Sequence, residues 1–527
     1  MSARALALLI LLTAPLIGIA LTESMSDADD PSFDEGMFSY WVNSTDTVEL
    51  IGLNMGAAPD PAHLVVPETV MHDDKVYTVV NVSCYFAYDS IKTVHFPKSV
   101  NTIEEGIFLG RNLESITVDE KSDSYKSIDG ALFDKDVHKI LCYPKKAVGS
   151  SYTLPDTVNT ICAYAFSESN LESIILPDGL IEIKEYAFNE CMNLQYINNI
   201  GDGNKLPNSL SLIDPGAFYG CEKLENIILP NELRFVGDYA FSNTGLTSIN
   251  IPYGLYMMGS MVFSNCKNLR EITSDNIEYP AEEGVLFEYK DDYNIVAYPA
   301  ASERTTYAIS SKVTEIRPYA FSGCSNLKEI KLPYNMMVLS RAAFADCHSL
   351  EKINLDDVVI IDFMVFSGCN SLKDVTLGDQ LASIELYAFE NTAIEEIVIP
   401  DTVISLGICA FLQCSNLKKV TIEEDCAAVM EEGVFRGCFN LKEIYLDSEK
   451  VEMETGSLNI GSDLGHADVT ITIPKGYEIP VDAVSEPQLT TLTVLIKGEH
   501  PFPMENLIGI AFCVLVLLII VRMFRGV

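Results

Sequence analysis

Arg317–Pro333 reads RPYAFSGCSNLKEIKLP, and close copies of it recur along most of the 527-residue chain. The shared pattern is A-F-x-x-C-x-x-L-x-x-I-x-L, often followed by proline. Between Phe321 and Phe411 the anchoring phenylalanines stand 22 or 23 residues apart. The anchors are Phe86, Phe108, Phe166, Phe188, Phe218, Phe241, Phe263, Phe321, Phe344, Phe366, Phe389, Phe411 and Phe435.

A period of this length indicates the fold, because repeats of 20–29 residues are typical of a leucine-rich-repeat solenoid. After Phe321, the residues Leu327, Ile330 and Leu332 follow the leucine pattern, and the last two alternate with charged residues, as in a strand with one buried face. Pro333 has no backbone donor, so the strand should end there. We predict a mainly β solenoid with short turns or helical segments and about 22–23 residues per coil. Stacking about fourteen coils should make one continuous core.

The cysteines form the second regular feature. Eight repeats carry a cysteine three residues after the phenylalanine, and serine or threonine takes its place in three shorter repeats. This exchange predicts a small side chain that bonds the loop backbone from inside. Equivalent residues of adjacent coils would lie roughly 5 Å apart, whereas a disulfide needs a Cβ separation of about 3.8 Å. We therefore predict a ladder of buried free thiols, with disulfides as the alternative. A metal site is disfavoured, since no C-x-x-C pair or histidine cluster accompanies the cysteines.

The composition limits the partners. The chain has 35 basic and 75 acidic side chains, a net charge of −40, and 48% hydrophobic residues, which is enough for a large core. Nucleic acid needs lysine and arginine against its phosphates, so we expect no nucleic-acid partner. The same charge argues against docking on anionic membrane surfaces and keeps a long protein surface soluble.

Both ends of the chain are strongly apolar. Residues 1–20 combine an arginine with an apolar run and small residues, which is typical of a secretory signal peptide; an uncleaved anchor is the alternative. Residues 507–524 predict a transmembrane helix, extended by snorkelling of Arg522 and Arg525. A buried helix or a cleaved lipid-anchor signal are its alternatives. The arginines place residues 525–527 in the cytoplasm, so we expect a single-pass type I cell-membrane protein with an extracellular ectodomain.

Five segments lie between these ends. Two interruptions, near 129–144 and 283–299, share G-x-L-F, a polar turn and Tyr-Pro, and are interpreted as β-hairpins inserted into a coil. Sequons at Asn43 and Asn81 are candidate N-glycosylation sites of a secreted glycoprotein. The predicted segments are an acidic linker (21–35), an N-terminal β cap (36–84), the solenoid (85–446), a C-terminal β cap (447–498) and a stalk (499–506).

The repeat, the G-x-L-F…Y-P hairpins and the lead-in at Phe38 and Tyr40 resemble the BspA-like family of leucine-rich-repeat surface proteins over about residues 36–446. The resemblance implies a secreted or membrane-anchored protein that adheres to host matrix proteins or to other cells. No L-P-x-T-G sorting motif is present, so anchoring by a C-terminal helix would differ from the cell-wall-linked members. The family has no agreed binding residues, and none is carried over.

No catalytic motif is visible. The seven histidines are scattered, and H-E-x-x-H, G-x-S-x-G, P-loop and G-x-G-x-x-G patterns are missing from the sequence. We therefore expect no enzyme activity, no cofactor and no metal. His348 follows Cys347, but the repeat register turns the cysteine inward and leaves the histidine in a loop.

The outward side of the strands remains as the candidate binding surface, because repeat proteins bind partners on such extended faces. Apolar and aromatic side chains dominate binding hot spots, although isolated ones are common on any surface. The expected partners are proteins or glycans on host or neighbouring cells, and the alternative role is a self-associating envelope or glycocalyx component. Ligand identity and oligomeric state stay open. The candidate contacts are Ile175, Ile228, Val398 and Tyr445.

Overall fold

The computed structural model describes residues 32–54, 62–198, 203–290, 292–462, 464–486 and 490–497. Within these ranges the chain forms strands joined by turns and contains no helix, so the predicted helical segments are wrong here and turns take their place. The predicted signal peptide (1–20), stalk and transmembrane helix (507–524) lie outside the described residues. None of the described residues forms an apolar helix long enough to span a bilayer.

The N-terminal part begins with an antiparallel sheet in which Tyr40, Val48 and Leu50 are buried. Its first strand starts at Ser32, inside the segment that was interpreted as an acidic linker. The strands of this part are β1 (Ser32–Glu35), β2 (Phe38–Val42), β3 (Thr47–Leu53), β4 (His63–Val65), β5 (Thr69–His72), β6 (Lys75–Val82), β7 (Thr93–Phe96), β8 (Thr102–Ile103), β9 (Ser115–Val118), β10 (Tyr125–Ile128), β11 (Ala131–Asp134) and β12 (Lys139–Cys142).

The remaining strands belong mostly to coils that repeat the same two short strands. They are β13 (Ser151–Thr153), β14 (Thr160–Ile161), β15 (Ser173–Ile175), β16 (Glu182–Ile183), β17 (Tyr196–Ile197), β18 (Leu212–Ile213), β19 (Phe235–Val236), β20 (Ser248–Ile251), β21 (Met257–Met258), β22 (Glu271–Ser274), β23 (Ala281–Glu282), β24 (Val285–Tyr289), β25 (Tyr293–Ala297), β26 (Thr306–Ala308), β27 (Glu315–Ile316), β28 (Glu329–Lys331), β29 (Val338–Leu339), β30 (Lys352–Leu355), β31 (Ile360–Ile361), β32 (Asp374–Leu377), β33 (Ser383–Ile384), β34 (Glu396–Ile399), β35 (Ser405–Leu406), β36 (Lys419–Ile422), β37 (Val429–Met430), β38 (Glu443–Leu446), β39 (Glu452–Met453), β40 (Ala467–Ile473) and β41 (Thr490–Ile496).

Each coil contributes one strand to each of two parallel ladders. The strand of the leucine pattern belongs to the first ladder, as where β28 pairs with β30 through Ile330 and Ile353. The return segment supplies the second ladder, as where β29 pairs with β31 through Leu339 and Ile361. These four side chains are buried, so both ladders point one face into the same core. The parallel direction follows because every coil traces the same path.

Both predicted caps take part in the ladders. β4 pairs in parallel with β7, so the first ladder begins before the first anchor at Phe86. At the other end β40 and β41 extend β38 in parallel. Val469, Ile471 and Ile473 alternate inward there and are buried. The strands β40 and β41 therefore make two further rungs of the first ladder without a phenylalanine anchor.

The anchoring phenylalanines form a spine of stacked rings. Phe389 is fully buried, and its ring centroid lies 5.1 Å from those of both Phe366 and Phe411. All thirteen anchors are buried. The spine confirms that the period of the sequence is the period of the coil, because one large ring per coil must fill the same place in the core.

From the coil of Phe166 onward, the coils with a phenylalanine anchor turn at two residues in the left-handed region, two positions before and two after the anchor. Around Phe389 these are Tyr387 (φ 57°) and Asn391 (φ 54°). Side chains are tolerated at most of these positions, but Gly216 is an exception. A Cβ there would meet the Tyr186 ring at 2.3 Å, and φ is already +64°. Only glycine fits at that turn.

Both hairpins are present, but they lie inside the solenoid. β11 pairs with β12 and β24 with β25, each antiparallel. Leu132 belongs to the N-terminal cluster of buried side chains, whereas its neighbour Phe133 belongs to the middle cluster. Leu286 and Phe287 divide in the same way between the middle and C-terminal clusters. The core is therefore three clusters separated by two buried β walls, and the prediction of one continuous core is wrong.

The tyrosine that follows each hairpin stacks on the next anchoring phenylalanine. Tyr143 stacks on Phe166 with 5.2 Å between centroids, and Tyr298 stacks on Phe321 at 4.9 Å. Both tyrosines thus occupy the phenylalanine position of their own coils. The hairpins are not inserted into a coil; they are part of a modified coil that also ends one core cluster.

Candidate functional site

The inward cysteines form a ladder of thiols. All thirteen cysteines within the described residues are buried and free. Cys347 Sγ donates a hydrogen bond to Phe321 O, one coil earlier, at 3.1 Å, and Cys369 Sγ donates to Phe344 O at 3.0 Å. The predicted bonding of loop backbone from inside is confirmed, and the disulfide alternative is wrong for these residues.

Threonine fills the same place in a shorter turn. Thr244 Oγ1 donates to Phe241 O at 2.8 Å and lies 3.3 Å from Cys266 Sγ. Burial raises the pKa of Cys266 to about 11, although its contacts with Thr244 oppose this. The thiol is therefore protonated at neutral pH, and a protonated buried thiol is inert as a nucleophile. At Cys266 the thiol therefore has a structural role.

Cys347 and His348 do not form a catalytic pair. Cys347 is fully buried, whereas the exposed His348 places its Nδ1 2.9 Å from Gly368 O. Their side chains lie on opposite sides of the turn, as the repeat register predicted. In the part of the chain that the structure describes, no three metal-binding side chains come together.

The four predicted contact residues lie on the first ladder in two separate groups. Ile175 and Ile228 are about half exposed, in the middle part of the solenoid. Val398 and Tyr445 occupy a single outward row in the C-terminal part, with Thr421 paired between them. The structure brings Val398 and Tyr445 within two rungs of each other. Ile175 lies in a different sheet, and Ile228 forms an isolated bridge with Lys205 outside the named strands.

The two sequons differ in surroundings. Asn43 is exposed in the turn between β2 and β3. Asn81 is half-buried in β6, where it pairs with Glu49 on one side and Thr102 on the other. Glycosylation at both positions stays a prediction.

A larger apolar surface lies on the second ladder, and the sequence reasoning did not single it out. Leu212, Phe235 and Met257 stand on three consecutive rungs and point outward, since the residues after them are buried. Ile181 and Tyr256 lie beside this row and are 49% and 63% exposed. We call these five residues the middle apolar patch. Aligning the return segments at the repeat period would have shown the row.

A polar cleft of about 310 Å³ opens on the turn side of the first coils. Lys145 is 6% exposed there, and its Nζ donates to Leu109 O at 2.9 Å and to Glu168 Oε1 at 3.2 Å. Arg111 Nε lies 3.7 Å from the other oxygen of Glu168. The cleft is lined by Asp89, Arg111, Asn112, Lys145, Lys146, Glu168 and Asn170.

A second cleft, of about 240 Å³, lies nearby and contains Glu105 and Cys162. Burial acts to raise the pKa of Glu105, but hydrogen bonds from Lys184 Nζ (2.8 Å) and the Ala163 amide (3.0 Å) lower it overall. Burial also raises the pKa of the Cys162 thiol. A neutral thiol beside an ionised carboxylate that is already paired with Lys184 does not provide nucleophilic chemistry.

Several solved structures resemble the chain. A leucine-rich cell surface protein from Faecalibacterium prausnitzii A2-165 is 22% identical, with a TM-score of 0.48, over 83% of this chain and 98% of that one. The pneumococcal vaccine antigen PcpA is 18% identical, with a TM-score of 0.43, over 90% and 99%. A leucine-rich repeat protein from Bacteroides ovatus ATCC 8483 is 20% identical, with a TM-score of 0.33, over 88% and 99%.

Family membership follows from the repeats. Among functionally curated proteins, none matches the sequence. The model of the BspA type leucine-rich repeat region matches in six copies, over residues 73–148, 141–270, 300–394, 342–462 and 383–493. These ranges cover well over half of the chain, and they coincide with the coils described above. The chain therefore belongs to the BspA-type leucine-rich-repeat family.

Proposed function

We propose that this chain is a cell-surface recognition protein that mediates adhesion by binding a protein on host or neighbouring cells. Solenoids of this kind are typically binding scaffolds, because stacked coils present an extended surface rather than an enclosed site. The observation that carries the proposal is the middle apolar patch, to which we assign the contact with the partner.

The patch differs from scattered apolar residues in its continuity. Single exposed apolar side chains are ordinary on protein surfaces, whereas contiguous ones mark interaction sites. Leu212, Phe235 and Met257 are adjacent rungs, about 5 Å apart in the ladder direction. Lys290 Nζ lies 5.3 Å from the Tyr256 ring centroid at the edge of the patch. An apolar centre with a charged rim is the usual anatomy of a protein interface.

The test compares two exposed positions. Met257→Lys places a charge in the patch at a side chain that is 47% exposed, and Val481→Lys makes the same change at an isolated, fully exposed valine. The full-length protein is measured for binding to cells and to a panel of matrix proteins. We expect Met257→Lys to weaken binding by tenfold or more and Val481→Lys to leave it unchanged. Failure of the unmodified protein to bind any component would refute adhesion.

The predicted contacts on the first ladder are tested in parallel. Ile175→Lys and Val398→Lys probe its two groups, and each position is 49% exposed, which matches Met257 closely. Loss of binding with Met257→Lys alone would assign recognition to the second ladder. Loss with Val398→Lys alone would return it to the predicted surface and contradict the role of the middle apolar patch.

Location at the cell surface is part of the proposal and rests on residues 1–20 and 507–524. Protease treatment of intact, unpermeabilised cells should remove the ectodomain and leave a small C-terminal fragment. Full protection of the chain would contradict the type I arrangement and, with it, adhesion.

A second candidate function, lateral self-association, is favoured by the last strand. β41 pairs with β40 on one side and with no other strand among the described residues. Its Val494, Leu495 and Ile496 are 46%, 46% and 39% exposed. An apolar strand edge can accept a strand from another copy. Sedimentation equilibrium should then show concentration-dependent association that Val494→Lys abolishes, and a monomer at high concentration would exclude this function.

A further inference from the structure

We propose that the polar cleft on the turn side of the first coils binds a carboxylate-bearing sugar, such as a uronic acid residue. This inference goes beyond the adhesion proposed above, because the cleft lies on the turns of the first coils and shares no residue with the middle apolar patch. Each proposal can hold while the other fails.

The cleft replaces part of the thiol ladder. Three positions after the anchor, most later coils place a buried cysteine, and Ser169 is buried at this position in the coil of Phe166. The three preceding coils carry Asp89, Arg111 and Lys146 instead, and all three are exposed. In three successive coils, the position that elsewhere holds a small inward side chain therefore holds a charged side chain that faces outward.

Lys145 is a buried and fixed part of the cleft. The residue is only 6% exposed, and its ammonium donates hydrogen bonds to Leu109 O and Glu168 Oε1. Burying a lysine is costly unless its charge is compensated. Arg111 shares the same Glu168 carboxylate, and no carboxylate pairs with Lys146 among the described residues. Three cations thus face two carboxylates.

The local charge points to an anion. The whole chain carries a net charge of −40, whereas this cleft is lined by three cations and two carboxylates. Arg111 is 73% exposed in its side chain and retains free guanidinium donors for a carboxylate, which arginine binds in a bidentate manner. Lys146 supplies the second charge.

The polar lining points to a sugar. Asn170 offers an amide, and Asn112 offers its Oδ1 beside the bond that its Nδ2 donates to Asp89 O at 2.8 Å. Asp89, whose Oδ1 accepts from the Arg111 amide, and Glu168 offer further acceptor sites for hydroxyl groups. All lining residues among those that the structure describes are polar or charged, so the cleft suits a hydrophilic ligand rather than an apolar one. Its volume of about 310 Å³ is at the small end of ligand pockets and fits one sugar ring.

Calorimetric titration of the full-length protein at low ionic strength tests the inference, with sodium glucuronate as the probe. Glucose has the same ring without the charge, and sodium acetate has the charge without the ring. We expect glucuronate to bind and both controls to bind at least tenfold more weakly. Equal binding of acetate, or no binding of glucuronate, would overturn the assignment.

Two variants locate the site. Arg111→Gln and Lys146→Gln each remove one charge from an exposed side chain, so the fold should be retained, as circular dichroism would verify. Each should weaken glucuronate binding by about tenfold, since a charge-assisted hydrogen bond is lost. Lys312→Gln is the matched control at an exposed lysine of a distant coil. Binding that survives both cleft variants would place the sugar elsewhere and refute the proposal.

Discussion

Phe389→Ala tests the claim that stacked rings hold the solenoid together. Phe389 is fully buried in the C-terminal cluster, and its ring centroid lies 5.1 Å from that of a neighbouring ring on each side. Its backbone also participates in the turn, where N donates to Ala410 O at 2.8 Å and O accepts from Cys414 Sγ at 3.0 Å. The substitution removes the ring and leaves these backbone bonds possible.

The structure sets the size of the effect. Truncation of a buried phenylalanine to alanine costs about 3–5 kcal/mol in unfolding free energy, and complete burial places Phe389 in the middle of that range or above, at about 4 kcal/mol. Phe389→Leu keeps most of the apolar volume but loses two ring contacts of about 0.5–1.5 kcal/mol each. It should therefore cost about 1–3 kcal/mol.

Phe363→Ala is the matched control in the same part of the solenoid. Phe363 is half-buried, lies outside the spine and packs under the Arg341 guanidinium at 4.6 Å. Its loss should cost about 1 kcal/mol or less. Urea unfolding compares the three variants, and hydrogen exchange shows where the chain opens. Because each coil contacts only its neighbours, exchange should rise in the coils of Phe366 and Phe411 before others.

Two results would refute this reasoning. Equal costs for Phe389→Ala and Phe363→Ala would mean that the spine contributes no more than a surface ring. Exchange that rises evenly from residue 73 to residue 462 would mean that the three core clusters unfold as one unit and that the buried hairpins do not separate them.

Three further outcomes are expected. The Cys266 thiol has a pKa of about 11 in the folded chain and 9.0 when exposed. Its contribution to the unfolding free energy is therefore complete below pH 9 and falls by about 2–3 kcal/mol as the pH rises through 11. Urea midpoints measured across this range should fall less steeply in Cys266→Val than in the unmodified chain. Gly216→Ala should destabilise the chain in thermal unfolding more than Gly36→Ala, since both have φ +64° but only the first Cβ meets a tyrosine ring; equal losses would exclude the clash. Arg317→Met should cost about 3 kcal/mol in urea, because it leaves the buried carboxylate of Glu288 without its arginine, and Glu288→Gln in the same chain should restore part of that loss.

The spine and the thiol ladder were predictable because their residues leave no choice. Phe344 and Phe366 recur at the coil period and are too large and apolar to face water, so they must fill equivalent places in successive coils. Cys347 and Thr244 occupy one position of the pattern and share only small size and a donor. That pair of properties indicated an inward hydrogen bond before any contact was known.

The burial of the two hairpins inside the solenoid was not predicted, for an identifiable reason. Ala131, Leu132 and Phe133 are consecutive and all buried, which is the pattern of a strand covered on both faces. The interpretation as inserted hairpins considered the polar turn and gave too little weight to this run. Whether a hairpin lies on a surface or inside depends on what stacks against its second face, and no local pattern contains that information.

The amino-acid sequence by itself determined the coil: its period, its inward residues, its turns and its membership of a repeat family. Only the tertiary structure decided which outward residues become neighbours. Leu212, Phe235 and Met257 are distant along the chain and adjacent in the ladder, and Lys145 meets Glu168 from the next coil. The reason is physical: backbone hydrogen bonds between coils set the register, and register is a relation between segments that neither segment specifies alone.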